Sequence, residues 1–97
     1  MYTVNSTIAL QAFEGLKVEK ISSNSQVEIL SISLEKNKIF PEHTSPRDAT
    51  LIVLEGEILF YINGSEYLLF GQHHFQFEKE VTHSVKANEN SKFLIVR

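Results

Sequence analysis

Residues 58–70, ILFYINGSEYLLF, set a run of apolar residues on each side of Asn63-Gly64. Both turn residues tolerate the positive φ that a two-residue hairpin demands, so this stretch predicts two antiparallel strands. Other segments extend the β pattern. QVEILSISLE alternates Leu30, Ile32 and Leu34 with Ser31, Ser33 and Glu35, the period of a half-buried strand. HHFQF, HSVKA and KFLIVR supply further short strands, separated by EKEVT and NENS. Many short strands with turn signals between them predict an antiparallel barrel or sandwich. Residues 51–54, LIVL, are apolar at four successive positions, which implies cover on both strand faces. Leu59 and Tyr61, interleaved with Ile58, Phe60 and Ile62, repeat that two-faced pattern, so a homodimer through a sheet face is expected.

Only NSTIALQAFEG reads as helical. Asn5 or Ser6 would cap it, Ala9, Ala12 and Phe13 would share a face, and Gly15 would stop it. So short a helix must pack on something to persist.

Composition excludes several classes. With 97 residues, 42% of them hydrophobic, residues 1–97 are expected to form one domain around one modest core. Nine Lys and Arg are scattered against 12 acids, for a net charge of −3, so nucleic acid is not an expected partner. The longest apolar runs, LIVL and FLIV, are too short to span a bilayer, and no basic segment precedes a long apolar one. No membrane association and a cytoplasmic location are expected. Cysteine is absent, which removes disulfides, thiol nucleophiles and thiolate metal sites; any metal would rest on His and carboxylate.

The segment from Ile39 to Val85 resembles a small single-domain cupin. The first motif of that superfamily reads as His-x-His, a Glu three or four residues later, and a Gly after six more. His43 stands 13 residues before Gly56, the spacing the motif requires, and Gly71 and His83 match the ends of the second motif. The resemblance implies a double-stranded β-helix, or jelly-roll barrel, with a short N-terminal helix. Departures from the pattern bear on chemistry. The second His position falls on Ser45 and the Glu position on Ala49. Glu78 and Lys79 replace the usual Pro-Gly turn, and His83 lies 12 residues beyond Gly71, one more than the common pattern has. HTSPRDATLIVLEGE is similar to a variant first motif of some small bacterial cupins, in which a Thr/Ser-Pro-x-Asp loop replaces the ligand run.

The resemblance thus implies a degenerate metal site on His43 and His83, with Asp48 and His74 as substitute ligands and Ser45 as a poor neutral oxygen. No tightly bound cofactor is expected, and binding of a divalent ion such as zinc, nickel, manganese or iron is expected to be weak or absent. Each residue also has a plainer role. The two imidazoles fit a barrel mouth hydrogen-bonded to water or backbone. Asp48 fits a turn carboxylate accepting backbone N–H bonds. His73 and His74, adjacent on an extended strand, face opposite ways, so at most one can join a site. Glu55 and Glu57 flank Gly56 in a solvated turn. Phe60, Phe75, Phe77 and Phe93 read as core, with Phe60 and Phe77 also lining a pocket.

Three functional readings follow. The preferred one is a dimeric small-molecule-binding module whose pocket is formed by His43, Ser45, His83, Phe60 and Phe77. The second is a metal-dependent enzyme of isomerase or dioxygenase type using His43 and His83. It lacks a carboxylate to orient a free base and a full ligand set to hold an ion. In the third, the domain only dimerises or docks to another protein. Since the sequence ends within a strand at Arg97, a sensor role would need a separate partner for its readout.

Overall fold

The computed structural model describes residues 1–97. One helical turn, α1 (Thr7–Leu10), precedes nine strands: β1 (Leu16–Ser23), β2 (Glu28–Leu34), β3 (Ile39–His43), β4 (Ala49–Glu55), β5 (Glu57–Ile62), β6 (Ser65–Phe70), β7 (His74–Phe77), β8 (His83–Ala87) and β9 (Ser91–Val96). They form a five-stranded sheet in the order β1-β2-β9-β4-β7 and a four-stranded sheet in the order β3-β8-β5-β6. All neighbours are antiparallel. This is the expected jelly-roll barrel. No helix is long and apolar enough to cross a membrane.

The hairpin forms as its chemistry requires. Asn63 and Gly64 have φ of 52° and 73°, and Ile62 pairs with Ser65 across the turn, a type I′ pattern whose twist matches the strands. Strand alternation then sorts the core. Ile32, Leu34, Leu51, Val53, Phe93 and Ile95 of the larger sheet are buried against Ile58, Phe60, Ile62, Val85 and Ala87 of the smaller. Fully burying side chains of this size stabilises by roughly 1.5–3 kcal/mol each, before the entropy cost of ordering them.

Several expectations change. The helix closes at Leu10, leaving Ala12 and Phe13 outside it, and Ser6 at its start makes no side-chain capping bond. The sheet surface beneath supplies the reason. Ser31 Oγ donates to Gln11 Oε1 (2.6 Å), Ser33 Oγ to the Ala12 carbonyl (2.7 Å), and Gln11 Nε2 to the Ser31 carbonyl (2.9 Å). Each bond draws the chain flat across β2 instead of letting it coil. Ser31 and Ser33, the polar half of an alternating strand, are consequently 0% exposed. The segment LIVL also differs from expectation. Leu51 and Val53 are fully buried, whereas Ile52 is half-buried and Leu54 is exposed, so its outer face is only partly covered. Because β4 and β5 lie in different sheets, the outward residues of LIVL and of Ile58–Ile62 sit on opposite sides of the sandwich. One interface cannot use both. Beside the turn at Gly56, Glu55 is exposed, but Glu57 is half-buried and accepts a bond from Asn88 Nδ2 at 3.0 Å.

Lys92 completes the docking of the N-terminal segment. Its ammonium donates to the carbonyls of Ile8 (2.7 Å) and Ala9 (3.1 Å), stands 5.1 Å from the Phe13 ring centroid, and is only 5% exposed. Glu55 lies 3.9 Å away. Hydrogen bonds to charged groups contribute about 1.5–3 kcal/mol, so Lys92→Met should cost about 2 kcal/mol. Its signature is local. Amide exchange at Leu10 and Gln11 should accelerate well before the sheet amides; equal acceleration everywhere would show that Lys92 does not hold this segment.

Candidate functional site

His43 and His83 meet at one end of the barrel. They are cross-strand partners on β3 and β8, with ring centroids 4.2 Å apart in an edge-to-face arrangement. A register shift between Phe40 and His43 brings both residues of β3 to the inner side, although they are three apart. The His43 ring stacks on Phe40 at 4.0 Å. His83 packs against Phe77 (4.6 Å) and Phe60 (5.5 Å).

Backbone carbonyls fix which nitrogen of each ring carries the hydrogen in the neutral form. His43 Nδ1 lies 2.7 Å from the Pro41 carbonyl, and His83 Nδ1 lies 2.8 Å from that of Val81. A carbonyl only accepts, so each Nδ1 must carry the hydrogen, and in its neutral form each ring has Nε2 as the lone-pair acceptor. Neither Nε2 has a protein partner. No buried side-chain nitrogen or oxygen in the molecule lacks a hydrogen bond, so His83 Nε2 reaches the surface although the residue is 4% exposed.

Burial pushes the His83 pKa below its ordinary value of 6.5; the Val81 carbonyl opposes that shift, and Arg97, together with His43 whenever that ring is protonated, adds to it. The neutral, accepting form therefore prevails at pH 7. The linkage sign follows. Between 6.5 and the lowered folded value, the unfolded chain binds the proton that the folded one refuses. Stability is thus full above pH 6.5 and falls as pH drops through the folded pKa. Thermal melts between pH 5 and 7.5 should show this fall in wild type and a flatter profile in His83→Gln; identical profiles would remove His83 as its source.

The other expected site residues are engaged elsewhere. Ser45 is buried, donating its hydroxyl to the Arg47 carbonyl at 2.7 Å and lying 3.5 Å from Arg97 Nη1, so its oxygen serves its own loop. Asp48 Oδ1 accepts the Lys79 N–H at 2.9 Å, and the Ser45 carbonyl accepts that of Glu80 at 2.8 Å. These two bonds clamp the loop after β3 to the loop before β8. His74 pairs with Ile52, which puts it on the outer face of the larger sheet and out of the barrel, so it cannot substitute as a ligand. His73 Nδ1 accepts the Phe70 N–H at 3.1 Å. Ala49 faces inward opposite Phe77 and offers no donor. No group of three or more His, Asp or Glu is placed to hold a metal ion. Two imidazoles alone do not fit a tight site for zinc or a similar ion, which takes three or four protein ligands.

Nor do His43, Ser45 and His83 enclose one open pocket. Phe60 is 0% exposed and serves as floor only. The adjoining cavity, about 220 Å³, is walled by Ile62, Tyr67, Phe75, Phe77 and Val81. A larger groove of about 440 Å³ runs past Thr50 and Gln76, whose pairing places them on the outer face of the five-stranded sheet. Tyr67 and Val81 are missing from the residues expected at the site. Tyr67 was within reach of sequence: across a two-residue hairpin it stands opposite Phe60 and so shares its inward face. Arg97 was not. Its guanidinium is held by Glu28 Oε1 at 2.8 and 2.9 Å, and Arg97 in turn keeps the Glu28 carboxyl below its ordinary pKa.

No protein-family model matches the chain, and no curated protein matches its sequence. Solved structures do match. A cupin superfamily protein from Desulfitobacterium hafniense superposes with a TM-score of 0.85 over 99% of this chain and 90% of its own, at 13% identity. The chain has the cupin fold. An RmlC-like cupin protein from Desulfovibrio desulfuricans gives 0.82 over 99% and 94% at 21% identity. A conserved protein of unknown function from Streptococcus pyogenes gives 0.82 over 98% and 84% at 20%. At these identities the likeness extends to the cupin barrel and not to its chemistry, which one fold varies widely.

Proposed function

We propose that this chain is a small-molecule-binding module built on a cupin barrel, with its ligand held at the His43–His83 end. One observation carries the reading: both imidazoles give their Nδ1 hydrogens to backbone carbonyls and leave Nε2 without a protein partner. Such a pair accepts hydrogen bonds, so the ligand brings donors. Proton abstraction is less well served. A carbonyl fixes a tautomer but does not stabilise an imidazolium as a carboxylate would, and burial holds the His83 pKa down.

A second reading, a metal-dependent enzyme of isomerase or dioxygenase type, has one specific support. Metal-ligating histidines also give their other ring hydrogen to a carbonyl. It requires donors beyond the two imidazoles, and the neighbouring residues do not supply them.

The test follows the imidazole nitrogens by long-range proton–nitrogen correlation during titration with small alcohols, phenols and carboxylic acids to millimolar concentration. At least one class should shift an Nε2 resonance saturably, and His83→Gln should abolish that shift. A folded protein whose Nε2 resonances respond to none of them would refute the reading.

We also infer a homodimer, through the outer face of the four-stranded sheet. Ile39, Leu68 and Phe70 are 57%, 50% and 46% exposed, and Leu59 lies between Leu68 and Lys86 in the same row. A second copy of this face would bury them, in an interface of about 1,600 Å² in all. Sedimentation equilibrium at micromolar concentration should report a dimer that Leu59→Lys converts to monomer and Ile52→Lys, on the opposite face, does not. A wild-type monomer would dismiss the dimer.

A further inference from the structure

The geometry points to a second subsite beside the histidine pair, one that takes a single planar ring bearing a hydroxyl: a neutral, phenol-like ligand. This rests on the binding reading above and names its ligand class.

The argument begins with the two edges that fail to join. β6 ends the four-stranded sheet and β7 ends the five-stranded sheet, with no ladder between them. At the barrel end this seam is bridged by side chains only. Tyr67 of β6 and Phe75 of β7 approach to 4.9 Å between centroids, tilted by 49°. The recess of about 220 Å³ lies at this seam. Tyr67 faces inward by register yet is 42% exposed, so the barrel does not close over it. Phe75 and Phe77 are packed from behind by Phe60, at 5.1 and 5.2 Å, which holds their rings in place. Rigid aromatic walls around a volume this small suit a flat ring, because offset and edge-on contacts among rings add about 0.5–1.5 kcal/mol beyond area burial.

The recess and the histidine pair share their walls. Ile62 stands opposite His83 in the ladder, the Val81 carbonyl takes the His83 Nδ1 hydrogen, and the Phe77 ring lies 4.6 Å from the imidazole. All three residues line the recess. His83 itself does not line the recess, but a ring seated there lies against three residues that pack on it, and a ring hydroxyl directed past Phe77 would bring His83 Nε2 the donor it needs. The rim narrows the class further. Glu78, with Asn63 and Gln76, stands at the recess, and its carboxylate repels an anionic ring substituent while accepting from a neutral one. A benzoate is thus disfavoured where a phenol is not. The volume admits one ring.

The full chain would be titrated with phenol, cyclohexanol and benzoate, reading both backbone amides and imidazole nitrogens. Phenol should shift the amides of Phe75, Phe77 and Val81 together with His83 Nε2, about fivefold or more tighter than cyclohexanol and benzoate. Tyr67→Ala, at a residue too exposed to endanger the fold, should weaken phenol by about fivefold; Phe75→Leu, which keeps the wall apolar but removes its ring, should do likewise. Phenol binding no tighter than cyclohexanol, or indifferent to both substitutions, would overturn the ring subsite. Shifts at His83 Nε2 with aliphatic alcohols alone would do so while leaving the binding reading intact. Silence of Nε2 toward every compound would remove both.

Discussion

Gly56→Ala should cost the protein more than about 3 kcal/mol of stability and stay folded only in the absence of denaturant. Gly56 turns the chain from β4 into β5 at φ +90°, a left-handed conformation that costs a residue with a Cβ about 1–2 kcal/mol. Sterics add to this. A Cβ at this position would overlap Ser91 Oγ and the Asn90 carbonyl, and would lie 2.6 Å from Ser91 Cα. Two of those obstacles are backbone at the start of β9, and they cannot swing aside. They are fixed there because Ser91 Oγ accepts the Glu57 N–H at 3.0 Å and donates to the Glu89 carbonyl at 2.7 Å. Overpacking of this kind costs about 1–3 kcal/mol more. A combined loss above about 3 kcal/mol is a large share of the 5–15 kcal/mol typical of a small domain. Urea denaturation should show a much lower midpoint at unchanged slope. Gly64→Ala is the control. Gly64 has φ +73° but nothing within 4 Å of the added carbon, so only the conformational cost applies, about 1–2 kcal/mol. Equal losses in the two variants would show that the contact with β9 is not what requires Gly56.

The difference between these glycines also marks how far sequence reading reaches. Gly64 is legible from its neighbours, because an Asn-Gly pair between apolar runs specifies the turn by local conformational preference alone. Gly56 stands out only through its spacing from His43; that it must clear Asn90 and Ser91 depends on a strand more than thirty residues later in the chain. The same division runs through the rest of the barrel. Alternation in β2 predicts which face of Leu30, Ile32 and Leu34 meets the core, but not that Ser31 and Ser33 are sealed by Gln11 and Ala12. Serine carries no sign that its solvent has been replaced by a carbonyl from twenty residues away.

The site divides likewise. His43 and His83 were found by spacing, and their meeting follows from the antiparallel pairing of β3 with β8. Their tautomers rest on the carbonyls of Pro41 and Val81, each two residues before its histidine. That contact is local, yet no residue type announces it, since every residue has a carbonyl. Asp48 reads as a turn residue from composition, and its bond to the Lys79 N–H keeps it one. The recess between Tyr67 and Phe75 was invisible for a different reason. It exists because two sheet edges do not join, a property of topology that periodicity in single strands does not encode.

Ser45→His combined with Ala49→Glu should turn a weak metal site into a tight one. In the wild type, two imidazoles leave most coordination positions to water, and zinc, nickel and manganese should bind weakly and exchange freely. The missing donors correspond to Ser45 and Ala49 in the cupin pattern. Ala49 faces inward opposite Phe77, whose ring touches His83, so a carboxylate built there projects into the barrel near the imidazoles. The substitutions carry a cost without metal. Ser45→His forfeits the bond to the Arg47 carbonyl, about 1 kcal/mol, and a Glu at a position 5% exposed buries a carboxylate. The metal-free double variant should therefore melt below wild type, and zinc should raise its melting temperature above the metal-free value by mass action. Calorimetric titration should give at least about a hundredfold tighter zinc binding than wild type. Metal content after purification without added metal is the complementary measurement. Stoichiometric, tightly held metal in the wild type would sink this account, because Asp48 would then have to leave the Lys79 amide to serve as a third ligand. That exchange would be visible as lost protection of the Lys79 N–H on metal binding, and it would move the enzyme reading ahead of the binding module.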